Sequence, residues 1–215
     1  IWNKQFNSSS ILYPEINFNS IASSNDSCYV IAGKTFTSLS TFNALLTKIN
    51  GNGDIIWTRS ISQTGYSLAI YSIQQTMDSG FILTGSAEIN SNNYRIFVAK
   101  TNSNGVLIWL EIFDNNTNYV GISVKQMPDS GYIVIGGSDP NKGSGSSLFL
   151  LKLLEDGKID WAKKYNRNNC LGFDVLISNN NLFCYFISNK IELLKTDNSG
   201  NVLWSKEYGN LFSNN

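Results

Sequence analysis

Short apolar runs separated by polar turns extend along the whole chain, and they predict strands. The third repeat reads VGISVKQM, the turn PDSG, YIVIGGS, a polar loop, SLFLLKL, the turn EDGK and IDWAKKY. Runs of this length, bounded by Pro, Asp and Gly, are typical of β-strands joined by tight turns. The third run is apolar at successive positions, which predicts burial on both faces. The fourth run carries charges and suits an outer edge strand.

A tryptophan recurs along the chain with spacings of 55, 52, 52 and 43 residues: Trp2, Trp57, Trp109, Trp161 and Trp204. A lysine lies nine residues before each of the last four: Lys48, Lys100, Lys152 and Lys195. A large apolar residue follows each Trp by four positions. Side chains alternate along a strand, so Trp and this residue share one face. The series predicts that the Trp side chains pack between neighbouring sheets.

Four-stranded units of about 52 residues, each with one Trp, indicate the blades of a β-propeller. A single such sheet cannot bury both of its faces, whereas sheets stacked around an axis bury them all. We therefore predict an all-β fold, with residues 1–215 forming one complete or partial β-propeller of antiparallel blades. The four full blades are expected at residues 16–61, 67–113, 119–165 and 171–208.

One strand is left over from this division. Residues 1–6, IWNKQF, have the Trp and the apolar residue four positions later that mark an outer strand. We expect them to be the outer strand of a further blade. The chain would then be part of a longer propeller of about five to eight blades, the alternative that we favour. In the other alternative, the strand completes an unfinished sheet of a neighbouring subunit.

The turn motifs resemble those of a known group of proteins. QTMDSGFILTG and the L-x-K-x-x-x-x-G-x-x-x-W pattern are similar to the tandem repeats of secreted bacterial and protist β-propellers, which often read Gln-Thr-x-Asp-Gly-Gly-Tyr. Ser79 and Ser130 replace the first Gly of that motif, and the fourth unit lacks Asp-Ser-Gly and has a shorter loop. The resemblance implies a propeller fold and secretion, and it implies no particular activity.

Composition narrows the candidate chemistry. Sixteen basic residues balance sixteen acidic ones, so the chain has no electrostatic reason to bind nucleic acid. The absence of His removes the commonest general base and the commonest metal ligand. The recurring acids Asp26, Asp78 and Asp129 fall in hairpin turns, where we expect them to cap backbone N–H groups. We therefore expect no enzyme activity, no cofactor and no metal.

The remaining signals concern the environment of the protein. Cys28, Cys170 and Cys184 are odd in number and lack metal-site spacing, so we interpret them as structural and leave open a bridge between the last two. No apolar run is long enough to span a bilayer. The chain begins inside a repeat without Met, which we interpret as a processed, truncated or partial end. Three sequons make candidate glycosylation sites: Asn7, Asn25 and Asn115.

Three functions fit this pattern. The first is a non-catalytic structural or protein-interaction module at the cell surface or outside the cell, with protein partners or self-association in a surface assembly. The second is a glycan-binding propeller, in which exposed aromatic residues such as Tyr66, Tyr94 and Tyr119 stack on sugars. The third and least favoured is a propeller enzyme whose site lies outside this segment.

Overall fold

The structure, a computed structural model, describes residues 16–90, 93–113, 118–138, 147–165, 171–178, 181–187 and 191–209. These residues form sixteen strands and contain no helix. Every four consecutive strands make one antiparallel sheet, in chain order. The described residues are therefore all-β, as the apolar runs predict.

Each sheet is called a blade and is numbered along the chain. Blade 1 comprises β1 Ile16–Ser23, β2 Tyr29–Phe36, β3 Phe42–Ile49 and β4 Ile55–Ile61. Blade 2 comprises β5 Ser67–Gln75, β6 Phe81–Asn90, β7 Asn93–Thr101 and β8 Leu107–Phe113. Blade 3 comprises β9 Tyr119–Gln126, β10 Tyr132–Ser138, β11 Leu148–Leu153 and β12 Ile159–Tyr165. Blade 4 comprises β13 Leu171–Ser178, β14 Asn181–Ile187, β15 Ile191–Asp197 and β16 Val202–Tyr208.

The blades stack so that the first strand of each one contacts the blade before it. Strand β5 lies against β1, β2 and β3, strand β9 lies against β5, β6 and β7, and strand β13 lies against β9, β10 and β11. Three hydrophobic cores fill the three seams between successive blades. The core of the molecule is therefore divided between sheets rather than gathered at one centre.

The middle strands are buried on both faces because their side chains alternate between two cores. In β10, Ile133 and Ile135 pack into the seam between blades 3 and 4. Tyr132 and Val134, on the other face of the same strand, pack into the seam between blades 2 and 3. This alternation explains the continuous apolar runs of the second and third strands.

A bulge recurs between the third and fourth strands and places the repeated residues opposite each other. Lys48 pairs with Trp57, Lys100 with Trp109, Lys152 with Trp161 and Lys195 with Trp204. The register shifts directly after each of these lysines. A bulge bends its strand and adds local twist, so each blade turns the hairpin beyond the lysine in the same way.

Candidate functional site

The repeated Trp of blades 1, 2 and 3 lies beneath a glycine turn of the next blade. A methyl group added at Gly105 would lie 2.7 Å from the Trp57 ring, one at Gly157 would lie 3.0 Å from Trp109, and one at Gly200 would lie 2.9 Å from Trp161. These glycines have φ of 72°, 86° and 72°. Each turn requires glycine for two reasons: the backbone is left-handed, and the indole ring approaches too closely to leave room for a side chain.

Two further contacts accompany this packing between blades 3 and 4. The Tyr165 hydroxyl donates a hydrogen bond of 2.7 Å to the Gly200 carbonyl. Lys163 Nζ donates one of 2.7 Å to Asn201 Oδ1 and lies over the Trp161 ring. The outer strand of blade 3 therefore contacts the β15–β16 turn through three side chains: the Trp161 ring, the Tyr165 hydroxyl and the Lys163 ammonium group.

In blades 1, 2 and 3 the repeated lysine binds the turn aspartate of its own blade. Lys48 Nζ lies 2.6 Å from Asp26 Oδ2, Lys100 Nζ lies 2.8 Å from Asp78 Oδ2, and Lys152 Nζ lies 2.7 Å from Asp129 Oδ2. The lysine side chains are almost wholly buried, whereas more than half of each aspartate side chain is exposed. Each pair fastens the turn between the first two strands to the third strand.

The aspartates also cap backbone groups in their turns. Asp78 Oδ1 accepts a hydrogen bond of 3.0 Å from the Gly80 N–H, and Asp129 Oδ1 accepts one of 3.1 Å from the Gly131 N–H. Burial acts to raise the pKa of Asp78, but hydrogen bonds from Lys100, Thr76 and Gly80 lower it to about 2. A hydrogen bond from Lys48 lowers the pKa of Asp26 to about 2. Carboxylates held ionised in this way serve a structural charge pair better than proton transfer at neutral pH.

The turn glutamines bridge successive blades, a role that the sequence reasoning missed. Gln75 Oε1 accepts a hydrogen bond of 2.9 Å from the Asn25 N–H in the preceding turn. Gln126 Oε1 accepts one of 2.7 Å from the Met77 N–H. The recurrence of Gln three residues before Asp78 and Asp129 was the available signal.

An apolar cleft of about 530 Å³ opens between blades 2 and 3. Phe113, Tyr119, Phe149 and Ile159 are among its lining residues, and the rings of Tyr119 and Phe149 lie 5.3 Å apart. Lys163 and Lys164 also line it. The cleft has the size of a small-molecule pocket, and its lining is predominantly apolar.

The aromatic residues named for glycan stacking are not exposed. Tyr119 is buried against Phe149, Tyr66 packs against the core between blades 1 and 2, and Tyr94 is half-buried. The structure therefore contradicts the expectation that these three side chains form a sugar-binding platform. The rings of Tyr66 and Tyr119 pack in the seams between blades, an arrangement that the sequence could not distinguish from a surface position.

The other candidate residues divide between described and undescribed parts of the chain. Asn25 is exposed in the turn between β1 and β2. Cys28 and Cys184 are free, buried thiols, and burial raises the pKa of Cys184 to about 12. Lys195 and Trp204 occupy the repeat positions in blade 4. The remaining candidates lie outside the described residues: Trp2, the strand at residues 1–6, Asn7, Asn115 and Cys170.

The described residues show neither a metal cluster nor a membrane-spanning helix. Within them, no cluster of three or more His, Cys, Asp or Glu side chains is placed to hold a metal ion. Over the same ranges, no helix has the length and apolar character needed to cross a membrane.

Solved structures with a similar fold include a Hadza microbial sialidase, Hz136, with a TM-score of 0.63 and 8% identity over 89% of this chain and 46% of that one. A neuraminidase-like protein of a little yellow-shouldered bat isolate has a TM-score of 0.57 and 12% identity over 89% and 58%. One of a flat-faced bat isolate has a TM-score of 0.55 and 12% identity over 88% and 53%. The chain spans about half the length of these structures.

At such identities the likeness shows the fold alone. Together with the four-stranded antiparallel sheets, it confirms the predicted β-propeller. The sequence matches no protein-family profile. It also matches no curated protein. The particular repeat family suggested by the turn motifs is therefore not established by these comparisons.

The expectation that the chain is not an enzyme was wrong as argued, because a structure similar to it is a sialidase. We based that expectation on the absence of His and on the position of Asp26, Asp78 and Asp129 in hairpin turns. Sialidases use a Tyr nucleophile, which needs no histidine. The missing histidines therefore do not exclude catalysis of this kind.

Proposed function

We propose that the chain is an extracellular structural module that associates with other copies of itself through the outer strands of its blades. The observation that carries the proposal is a recurring row of exposed aliphatic side chains directly before the repeated Trp positions. The row, called the aliphatic rim, comprises Ile55, Ile56, Leu107, Ile108, Ile159, Val202 and Leu203.

The aliphatic rim supports association because it lies on edge strands. An edge strand presents unpaired backbone donors and acceptors, and natural proteins normally guard it with charges. Here the charges follow the Trp, at Arg59, Glu111, Lys164 and Glu207, whereas the positions before the Trp are aliphatic in β4, β8 and β16. Exposed apolar groups that repeat at one position favour a docking surface over scattered surface variation.

A second copy is the occupant that the charges favour. The outer strands carry both signs, with Arg59 on β4, Glu111 on β8 and the Lys206–Glu207 pair on β16. An edge of one copy can therefore meet an edge of another with opposite charges facing each other and the aliphatic positions in contact.

The test is light scattering of the purified chain over a range of concentrations. We expect oligomers, and we expect the triple variant Ile56→Glu, Ile108→Glu, Leu203→Glu to be monomeric with its strand content retained by circular dichroism. The matched control replaces exposed polar residues of the same strands, Ser60→Glu and Ser205→Glu, and should leave the oligomer intact. A wild-type chain that stays monomeric, or a triple variant that associates normally, would overturn the proposal.

Two further measurements test whether the protein is extracellular and whether it acts on glycans instead. If the protein is extracellular, material from a eukaryotic secretory pathway should lose mass when an amidase removes N-glycans, and Asn25→Gln should reduce the loss. Binding of a monomeric chain to sialylated glycans on an array, or release of sialic acid from them, would instead favour a glycan-directed function.

A further inference from the structure

The stacked blades end in a face that differs from every internal seam. We call the side of a blade that carries the repeated Lys and Trp its exit face, and the opposite side its entry face. On the exit faces of blades 1 to 3, the residues two positions before the repeated Lys are fully buried: Leu46, Val98 and Leu150. In blade 4 the equivalent Leu193 and its neighbour Ile191 are only half-buried.

Two other apolar side chains on this exit face are exposed, and both differ from the equivalent residues of other blades. Leu176 is 64% exposed, at a position where blades 2 and 3 carry the polar Gln74 and Lys125. Tyr208 is 50% exposed, although Tyr165, the equivalent residue of blade 3, is half-buried and bonded to the next blade. The exit face of blade 4 is thus apolar and open.

The entry face of blade 1 is open along its first two strands. Ile21 is 60% exposed, whereas the equivalent Ile73 of blade 2 is 6% exposed. Tyr29 is 42% exposed, whereas Phe81 at the same position is fully buried. Each internal seam joins one exit face to one entry face, so the described blades form an arc with one open face of each kind.

The internal seams define the chemistry that fits the open exit face. The exit face of blade 3 holds a glycine turn with Trp161 beneath it, the Tyr165 hydroxyl on the glycine carbonyl and Lys163 on the following residue. Blade 4 repeats the same three residue types at the same offsets, as Trp204, Lys206 and Tyr208.

We infer that the exit face of blade 4 is the docking surface for a further blade of this same repeat. The glycine turn between the third and fourth strands of that blade lies on the Trp204 ring. The Tyr208 hydroxyl donates to the carbonyl of its glycine, and its first strand covers Leu176 and Leu193. The docking blade must therefore carry a glycine with positive φ in the turn between its third and fourth strands. Its first strand must be apolar.

The experiment extends the full chain after Asn215 by a copy of residues 119–165, which supplies a blade with its own glycine turn. We expect the extension to raise the Tm by at least about 5 °C in a single transition, because a new seam is buried. Trp204→Ala should abolish most of this gain in the extended chain while changing the Tm of the unextended chain little. The matched control is Gly→Val at the added copy of Gly157, which should abolish the same gain.

The outcomes separate this inference from the proposed self-association. Separate unfolding of the added blade, with the Tm of the rest unchanged, would overturn the inference, as would equal effects of Trp204→Ala in both chains. Loss of the wild-type oligomer on Leu176→Glu, with the aliphatic rim intact, would make this face a subunit contact and also overturn it. Failure of the rim variants alone leaves the blade-docking result standing, because they alter a different surface.

Discussion

At the scale of single residues, three serines hold a conformation that glycine would adopt more easily. Ser27, Ser79 and Ser130 have φ of 60°, 64° and 65° in the turns between the first and second strands. A side chain in the left-handed region costs about 1–2 kcal/mol, because its Cβ crowds the following carbonyl. The turns are kept in place by the Lys–Asp pairs and the glutamine bridges around them.

We predict that Ser130→Gly raises the free energy of unfolding by up to about 1 kcal/mol, since relief of the backbone strain exceeds the extra chain entropy of Gly. Urea denaturation measures the effect. The control is Ser60→Gly in the exposed strand β4, which should lower stability by about 0.5–1 kcal/mol. Equal losses at both positions would contradict the strain argument.

A second residue-scale prediction concerns acid. The folded pKa of Asp78, about 2, lies below the ordinary value of 3.8, so its pairing stabilises the fold above about pH 4 and is lost as the pH falls towards 2. Asp78→Asn should therefore lower the Tm at pH 6 and flatten the dependence of Tm on pH between 4 and 2. Asp156→Asn, which removes an exposed pair with Lys158, should change the profile much less.

At the scale of elements, the strands and turns could be predicted from the sequence, whereas the contacts made through strand register and blade stacking could not. The strands and turns follow from local patterns, and the Trp series predicted packing between sheets. The Lys–Asp pairs were visible only as two independent series, because their members are 22 or 23 residues apart and meet through strand register. The glutamine bridges and the burial of Tyr119 depend on how one blade sits on another, which no single repeat encodes.

We predict that Gly157→Ala destabilises the protein by about 1–3 kcal/mol more than Gly65→Ala. Both glycines have a similar positive φ, 86° and 83°. An added methyl at Gly157 meets the Trp109 ring at 3.0 Å, whereas one at Gly65 has nothing within 4 Å. The difference between the two variants therefore isolates the contact between blades.

The Trp109→Ala background provides the control for this comparison. Trp109→Ala alone should cost about 3–5 kcal/mol, because the partly buried ring packs against the core between blades 2 and 3. In that background, Gly157→Ala should cost no more than Gly65→Ala. A persistent difference would mean that the turn is constrained by something other than the indole ring.

At the scale of the whole molecule, stability should follow the number of covered faces. Blades 2 and 3 are covered on both sides, whereas the entry face of blade 1 and the exit face of blade 4 are open. We predict the slowest amide hydrogen exchange in β6 and β10, and faster exchange in β1 and β13. Uniform protection across all four blades would show that the array opens only as one cooperative unit.

The Trp–Gly contacts also impose an order of events during synthesis. In the three observed contacts the Trp precedes the glycine that covers it, by 48 residues for Trp57 and Gly105 and by 39 for Trp161 and Gly200. At a translation rate of about 5–20 residues per second, the glycine turn is synthesised roughly 2–10 s after the Trp on which it packs. A ribosome therefore always carries one blade with an unfinished apolar side, and chaperones that shield such surfaces have a recurring substrate at every repeat.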